Sequence, residues 1–279
     1  MQVQLQWLII AIVGLTSLQH APSDPIQEEP GPQPVPRTAD ANSSCLAPSK
    51  AQVELCATLE RSILDSVVRL EVRAPDGKGG WEGGKGHATV MKGRYLVTHN
   101  HFGVRLSTFE TMENTGAAAV SLYRANGEKI LLEAPPTIFK VVAEDSQSLV
   151  LDFGTDEEGQ GFFEGRGLAS ADFRTWKDLQ VEPGMEVAQV DWDGRMAHVD
   201  WVLVEEVLEE GGSRVLVLSD DLLQGASGGG VFWQGYHIAN NWKSGEVVDE
   251  GGTVVRQFSK AALNTYTVTS SDSVLFGAQ

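Results

Sequence analysis

Basic residues are scarce in this 279-residue chain: 21 Lys and Arg stand against 38 Asp and Glu, a formal net charge of -17. Nucleic-acid binding uses Lys and Arg to displace counterions from phosphates, so a field of this sign excludes nucleic acid as an expected partner. Cysteine is nearly absent as well. Cys45 and Cys56 are the only two, too few for a four-ligand zinc signature but enough for one short disulfide in an oxidising compartment. The apolar stretch from Trp7 to Leu18 is short for a membrane span and matches the core of a signal peptide. No Lys or Arg precedes it, so residues 1–21 read as a signal peptide or an uncleaved N-terminal anchor. Missing, finally, are a fixed-period repeat and the alternation of strands and helices that marks a nucleotide-binding fold.

What is present divides along the chain. Residues 22–44 are rich in Pro and in acidic or small polar residues. Such a segment cannot bury enough surface to offset its ordering entropy, and it reads as an extended linker. A Cys-containing leading segment follows over 45–65, with "CATLERSIL" weakly helical, before "SVVRLEV" turns to strand character. From there the chain is a series of short strand-like runs: "HATVMKGRYLVTH", "AAAVSLYRA", "TIFKVVAE", "SLVLDFG", "MEVAQVDWD", "HVDWVLVEEVLEE", "SRVLVLS", "GGVFWQGYHIANNW" and "TVVRQFS". Clusters such as "APDGKGGWEGGKG" and "YRANGEK" separate them as turns, and "ANG" signals a hairpin. "SKAALNTY" reads as a closing helix over 259–266. Many short strands with glycine-rich turns indicate an all-β sandwich or barrels.

Two segments carry residues suited to chemistry. In "YLVTHNHFG" a strand ends in His99 and His101. A histidine at a strand end suits proton transfer, because the strand fixes the backbone while the ring reaches a cleft. A metal reading of His-x-His lacks a third ligand at helical spacing, so no metal is expected. In "LLQGASGGGVF" Ser227 stands among four glycines. A serine hydroxyl needs a base to take its proton and backbone N–H groups to meet the oxyanion, and flanking glycines let the main chain turn those groups toward one point. The same string also suits a plain glycine-rich turn, and "DWDGRMAHVDW" with His198 reads as strand packing around a turn.

Taken together, "GHATVMKGRYLVTHNH" and "LLQGASGGGVFWQGYHIANNW" resemble the trypsin-like serine peptidases, both the digestive and the HtrA type. The likeness extends from about Ser66 to Leu263 and is loose between the two segments. It implies two packed antiparallel β-barrels, about 66–159 and about 161–258, a closing C-terminal helix, and an active site in the cleft between them. In the family's Thr-x-x-His pattern His101 becomes the general base, and its Gly-x-Ser-Gly-Gly pattern makes Ser227 the nucleophile, with the N–H groups of Gly225 and Ser227 as the oxyanion hole. Ala226 and Gly230 depart from the family's acidic or amide residue before the serine and its proline after it.

The third triad member stays open. Superposition puts Ser148 where the family has its aspartate; Asp145 lies three residues earlier in "EDSQS", and Asp152 four residues later on the same strand face. Asp145 is the expected acid. By the same resemblance Asp221, six residues before Ser227, lies at the base of the specificity pocket and favours Arg or Lys, while Asn241 and Trp242 belong to the strand that pairs with bound peptide. The expected activity is endopeptidase cleavage through an acyl-enzyme, with a polypeptide substrate, no cofactor, and a secreted or extracytoplasmic location. The alternative is an inactive trypsin-like domain that binds peptides or a protein partner.

Overall fold

The computed structural model of the protein describes residues 44–75, 81–100, 119–144, 148–175, 177–210, 212–268 and 274–276. All of them belong to one compact unit, residues 39–279. The expected signal peptide or anchor over 1–21, all but the last residue of the 22–44 linker, His101 and Asp145 lie outside the described residues. No helix among the described residues is long and apolar enough to cross a membrane.

The leading segment folds as expected. Helix α1 (Val53–Leu64) has Glu54 in its first turn and Arg61 in its last, each complementing the helix dipole. Cys56 and Ile63 are its buried residues. A disulfide joins Cys56 to Cys45, with Cα atoms 5.7 Å apart. On the other side of the helix contact, Trp201 Nε1 donates to Glu60 Oε1 at 2.8 Å, so α1 is fastened to the body of the protein at both a covalent and a polar point.

The first sheet is built from β1 (Val67–Pro75), β2 (Trp81–Met91), β3 (Tyr95–His99), β4 (Ala119–Arg124), β5 (Lys129–Ala134), β6 (Lys140–Glu144) and β7 (Ser148–Asp152), in the order β5-β4-β1-β2-β3-β7-β6. Alternation drives it: Val68, Leu70 and Val72 of β1 point to one side and meet Val90, Leu96, Leu122, Leu149 and Leu151 in a fully buried core. The "ANG" hairpin forms as expected between β4 and β5. Gly127 takes φ 83°, its N–H reaches Arg124 O at 2.9 Å, and Asn126 Oδ1 accepts the Glu128 N–H at 2.9 Å. "WEGGKG", expected as part of a turn cluster, instead continues β2, because β1 extends far enough to pair Leu70 through Pro75 with Gly86 back to Trp81.

The second sheet contains β8 (Asp172–Phe173), β9 (Glu186–Trp192), β10 (Ala197–Glu210), β11 (Ser213–Leu218), β12 (Gly230–Trp233), β13 (Tyr236–Val248) and β14 (Val254–Leu263). Strand β12 pairs with both β9 and β13, so β9-β10-β11-β14-β13-β12 closes into a ring, to which β8 adds in parallel beside β13. Its core holds Val187, Val202, Leu216, Leu218, Val231, Ile238 and Leu263. A short pair, β15 (Tyr266–Val268) and β16 (Val274–Phe276), follows.

One expectation fails here. Ser259–Leu263 is the end of β14, flanked by β11 on one side and β13 on the other, and the closing helix over 259–266 does not form. Ser259, Ala261, Ala262 and Leu263 are all at most 1% exposed. A strand between two neighbours buries both faces and satisfies every backbone group, which outweighs the weak helical preference of Lys-Ala-Ala-Leu. Between the two sheets, Ile63 and Val67 pack with Ala188, Val190 and Phe232 in a shared cluster. That cluster sets how the halves dock.

Candidate active site

Ser227 lies in the loop that leads from β11 into β12. Two turns shape it: Ala226 N–H bonds Leu223 O at 3.1 Å, and Gly229 N–H bonds Ala226 O at 2.9 Å. Between them Gly225 adopts φ 112°, a conformation that disfavours any side chain. A methyl group at Gly225 would also overlap the six-membered ring of Trp192. That indole is held in turn by Lys85 Nζ, 4.6 Å from its ring centre, and by the edge of His87 at 5.9 Å.

The loop is clamped from both halves of the molecule. From the first sheet, the His87 N–H donates to Ser227 O at 2.9 Å and His87 Nδ1 donates to Gly225 O at 2.9 Å. Since a carbonyl can only accept, Nδ1 carries the proton. Burial pushes the His87 pKa down to about 4, against a smaller upward pull from the Gly225 carbonyl, and the Arg69 charge lowers it further. His87 is therefore a neutral, fixed donor. From the second sheet, Asn241 O accepts the Gly228 N–H and the Asn241 N–H donates to Gly229 O, both at 2.8 Å. Asn241 is fully buried, with its Nδ2 on Val190 O at 2.6 Å and its Oδ1 accepting from Gln189 at 3.0 Å. It holds the serine loop with both main-chain groups.

Ala226, where the resembled family has an acid or amide, is fully buried in an apolar cluster with Trp192 and Leu222. An ionised side chain in that cluster would be costly to desolvate. The loop is thus fixed by apolar packing and backbone bonds. Gly228 also abuts the first sheet: a methyl group there would overlap Thr98 Oγ1 and His87 O and lie 3.3 Å from His99 N.

That contact falls at the informative end of β3. Thr98 and His99 are its last two residues, and His101 follows two positions later. His99 is buried and stacks on Trp242, ring centres 6.0 Å apart and planes at 20°. Across the ladder His99 is paired with Ser148, the buried first residue of β7, and Asp145 precedes Ser148 by three. The C-terminal end of β3 and the N-terminal end of β7 therefore lie side by side, where Gly228 docks. Asp152 is at the opposite end of that pair. Its carboxylate forms a two-point ion pair with Arg94 and accepts the Gly154 N–H at 2.8 Å, which removes it as a candidate triad acid.

Asp221 is half-buried in the turn after β11, with its N–H on Asp220 Oδ1 at 3.0 Å. Trp242 is half-buried between His99 and Lys243, whose Nζ is 4.0 Å from its ring centre. The role of His87 was not legible in the sequence, where it is one histidine among six; only its register opposite Arg69 on β1 and its contact with Gly225 distinguish it.

No protein-family model matches this chain, and no curated protein matches it either. Among solved structures, the crystal structure of the Rv3671c protease from M. tuberculosis in its active form is similar over 81% of this chain and 84% of that one, with a TM-score of 0.50 and 15% identity. The likeness is one of fold, and it agrees with the two sheets described above: the chain has a trypsin-like double-β-barrel fold.

Proposed function

We propose that the protein is a serine endopeptidase. Ser227 is the nucleophile, His101 the general base that takes its proton, and Asp145 the carboxylate that orients and stabilises the imidazole without taking the proton itself. The substrate carbonyl becomes tetrahedral as the serine oxygen adds, and the Gly225 and Ser227 N–H groups receive the oxyanion. The imidazolium then protonates the leaving amine. Water, deprotonated by the same imidazole, releases the acyl group and restores Ser227. Asp221 selects Arg or Lys before the cut, and Trp242 lines the path of the extended chain. The disulfide agrees with an extracytoplasmic site of action.

One observation carries this reading: Gly228, next to Ser227, is docked on the end of β3 that runs into His101, so two segments about 130 residues apart meet. The test is labelling of the full chain by a fluorophosphonate probe. Wild type is expected to label, and labelling is expected to disappear in Ser227→Ala and in His101→Ala. Folded wild-type protein that takes no label points to the binding module instead; label retained in Ser227→Ala sinks the assignment of the nucleophile.

A further inference from the structure

A second group of reactive side chains occupies the β9–β10 ladder. Asp191 and His198 are directly opposite each other across it, and Asp200, two residues beyond His198, projects to the same face. One ligand atom from each residue lies within 4.8 Å of the others, and His198 Nε2 is 3.1 Å from Asp200 Oδ2.

Asp191 is only 7% exposed. Its Oδ1 accepts the N–H groups of Trp192 at 2.7 Å and Leu223 at 3.2 Å, whereas Oδ2 has no hydrogen-bond donor among the described residues. Nor does any Lys or Arg there pair with Asp191 or Asp200. The surroundings add more negative charge, since Asp220 and Glu60 both act on Asp200. Asp191 Oδ2 is not among the buried polar atoms left without a partner and so stays accessible from solvent, and the basic group beside both acids is the His198 imidazole.

We propose that Asp191, His198 and Asp200 bind a divalent transition-metal cation of the zinc class. One imidazole nitrogen and two carboxylate oxygens form a ligand set suited to zinc, while calcium and magnesium favour oxygen alone. Three protein ligands leave a fourth position for water. The His198 side chain is 41% exposed, so solvent reaches the site. Binding is coupled to the serine loop: the carboxylate that offers Oδ2 to the metal holds Leu223, four residues before Ser227, with its other oxygen. The site is thus a tether between the β9–β10 ladder and that loop, and it stands whether or not Ser227 cleaves peptides.

Isothermal titration of the chelator-treated full chain with zinc chloride, together with its melting temperature, tests this. Wild type is expected to take up one zinc per chain and to melt higher with the metal. Both His198→Gln and Asp200→Asn are expected to weaken binding by about tenfold or more. These positions are half-exposed, so the melting temperature without metal verifies that each variant is folded. Absence of zinc uptake by wild type, equal zinc affinity in wild type and both folded variants, or calcium chloride binding more tightly than zinc would each overturn the proposal.

Discussion

At the scale of single residues, the serine loop depends on positions that admit no side chain. Gly228 combines φ 80° with contact against Thr98 Oγ1 and His87 O. Gly228→Ala is therefore expected to destabilise the protein by about 2–4 kcal/mol, through a strained φ and overpacking against backbone, as read from urea unfolding. Two buried histidines set a pH response. Burial lowers the pKa of His87 to about 4 and of His237 to about 3, from an ordinary 6.5. Well above pH 6.5 both rings are neutral folded and unfolded, and stability is at its full value. As pH falls below 6.5 toward 4 the unfolded chain takes up protons that the folded chain excludes, so stability falls. Asp191 and Asp200, with carboxyls held up by burial, act in the opposite sense in the acid range just above 3.8. Urea midpoints at pH 7.5, 6.5 and 5.5 are expected to decline in that order; a level series would contradict the neutral burial of both rings.

At the scale of elements, the strands were largely legible and their junctions less so. The alternation in "SVVRLEV" and "SLVLDFG" places β1 and β7 correctly, because one face of each strand meets a core. "WEGGKG" and "SKAALNTY" depart from their local signals for one reason: glycine content and helix propensity are weak local preferences, and a strand paired along its length overrides them. Helix α1 owes its place to a covalent anchor as much as to its sequence. Cys45 and Cys56 close a loop with a sequence separation of 11, and closing a loop of this size restricts the unfolded chain by roughly 2–3 kcal/mol. Cys45→Ser with Cys56→Ser is expected to lower stability by about that amount, measured by urea unfolding. A double variant as stable as wild type would show that Ile63 and Glu60 hold α1 unaided.

For the whole molecule, the serine loop is a product of docking. It takes hydrogen bonds from His87 in one sheet and exchanges them with Asn241 in the other, and the cluster of Ile63, Val67, Ala188, Val190 and Phe232 fixes their relation. The net charge of -17 works against this compactness through self-repulsion. Added sodium chloride screens charges beyond about 8 Å at physiological ionic strength, so the melting temperature is expected to rise from low to moderate salt. A fall would show that ion pairs such as Lys243–Glu210 outweigh the global repulsion.

The sequence by itself determined the strand-rich class, the one pair of cysteines able to bond, and the two segments worth joining, since alternation, a count of two cysteines and a serine among glycines are local facts. Only the tertiary structure decided that Gly228 touches the end of β3, that Asp152 is spent on Arg94, that Ala226 fills an apolar pocket, and that Asp191, His198 and Asp200 converge. Each of these is set by strand register and by the packing of one sheet on the other, and a side chain's long-range neighbours are not written in its own vicinity along the chain.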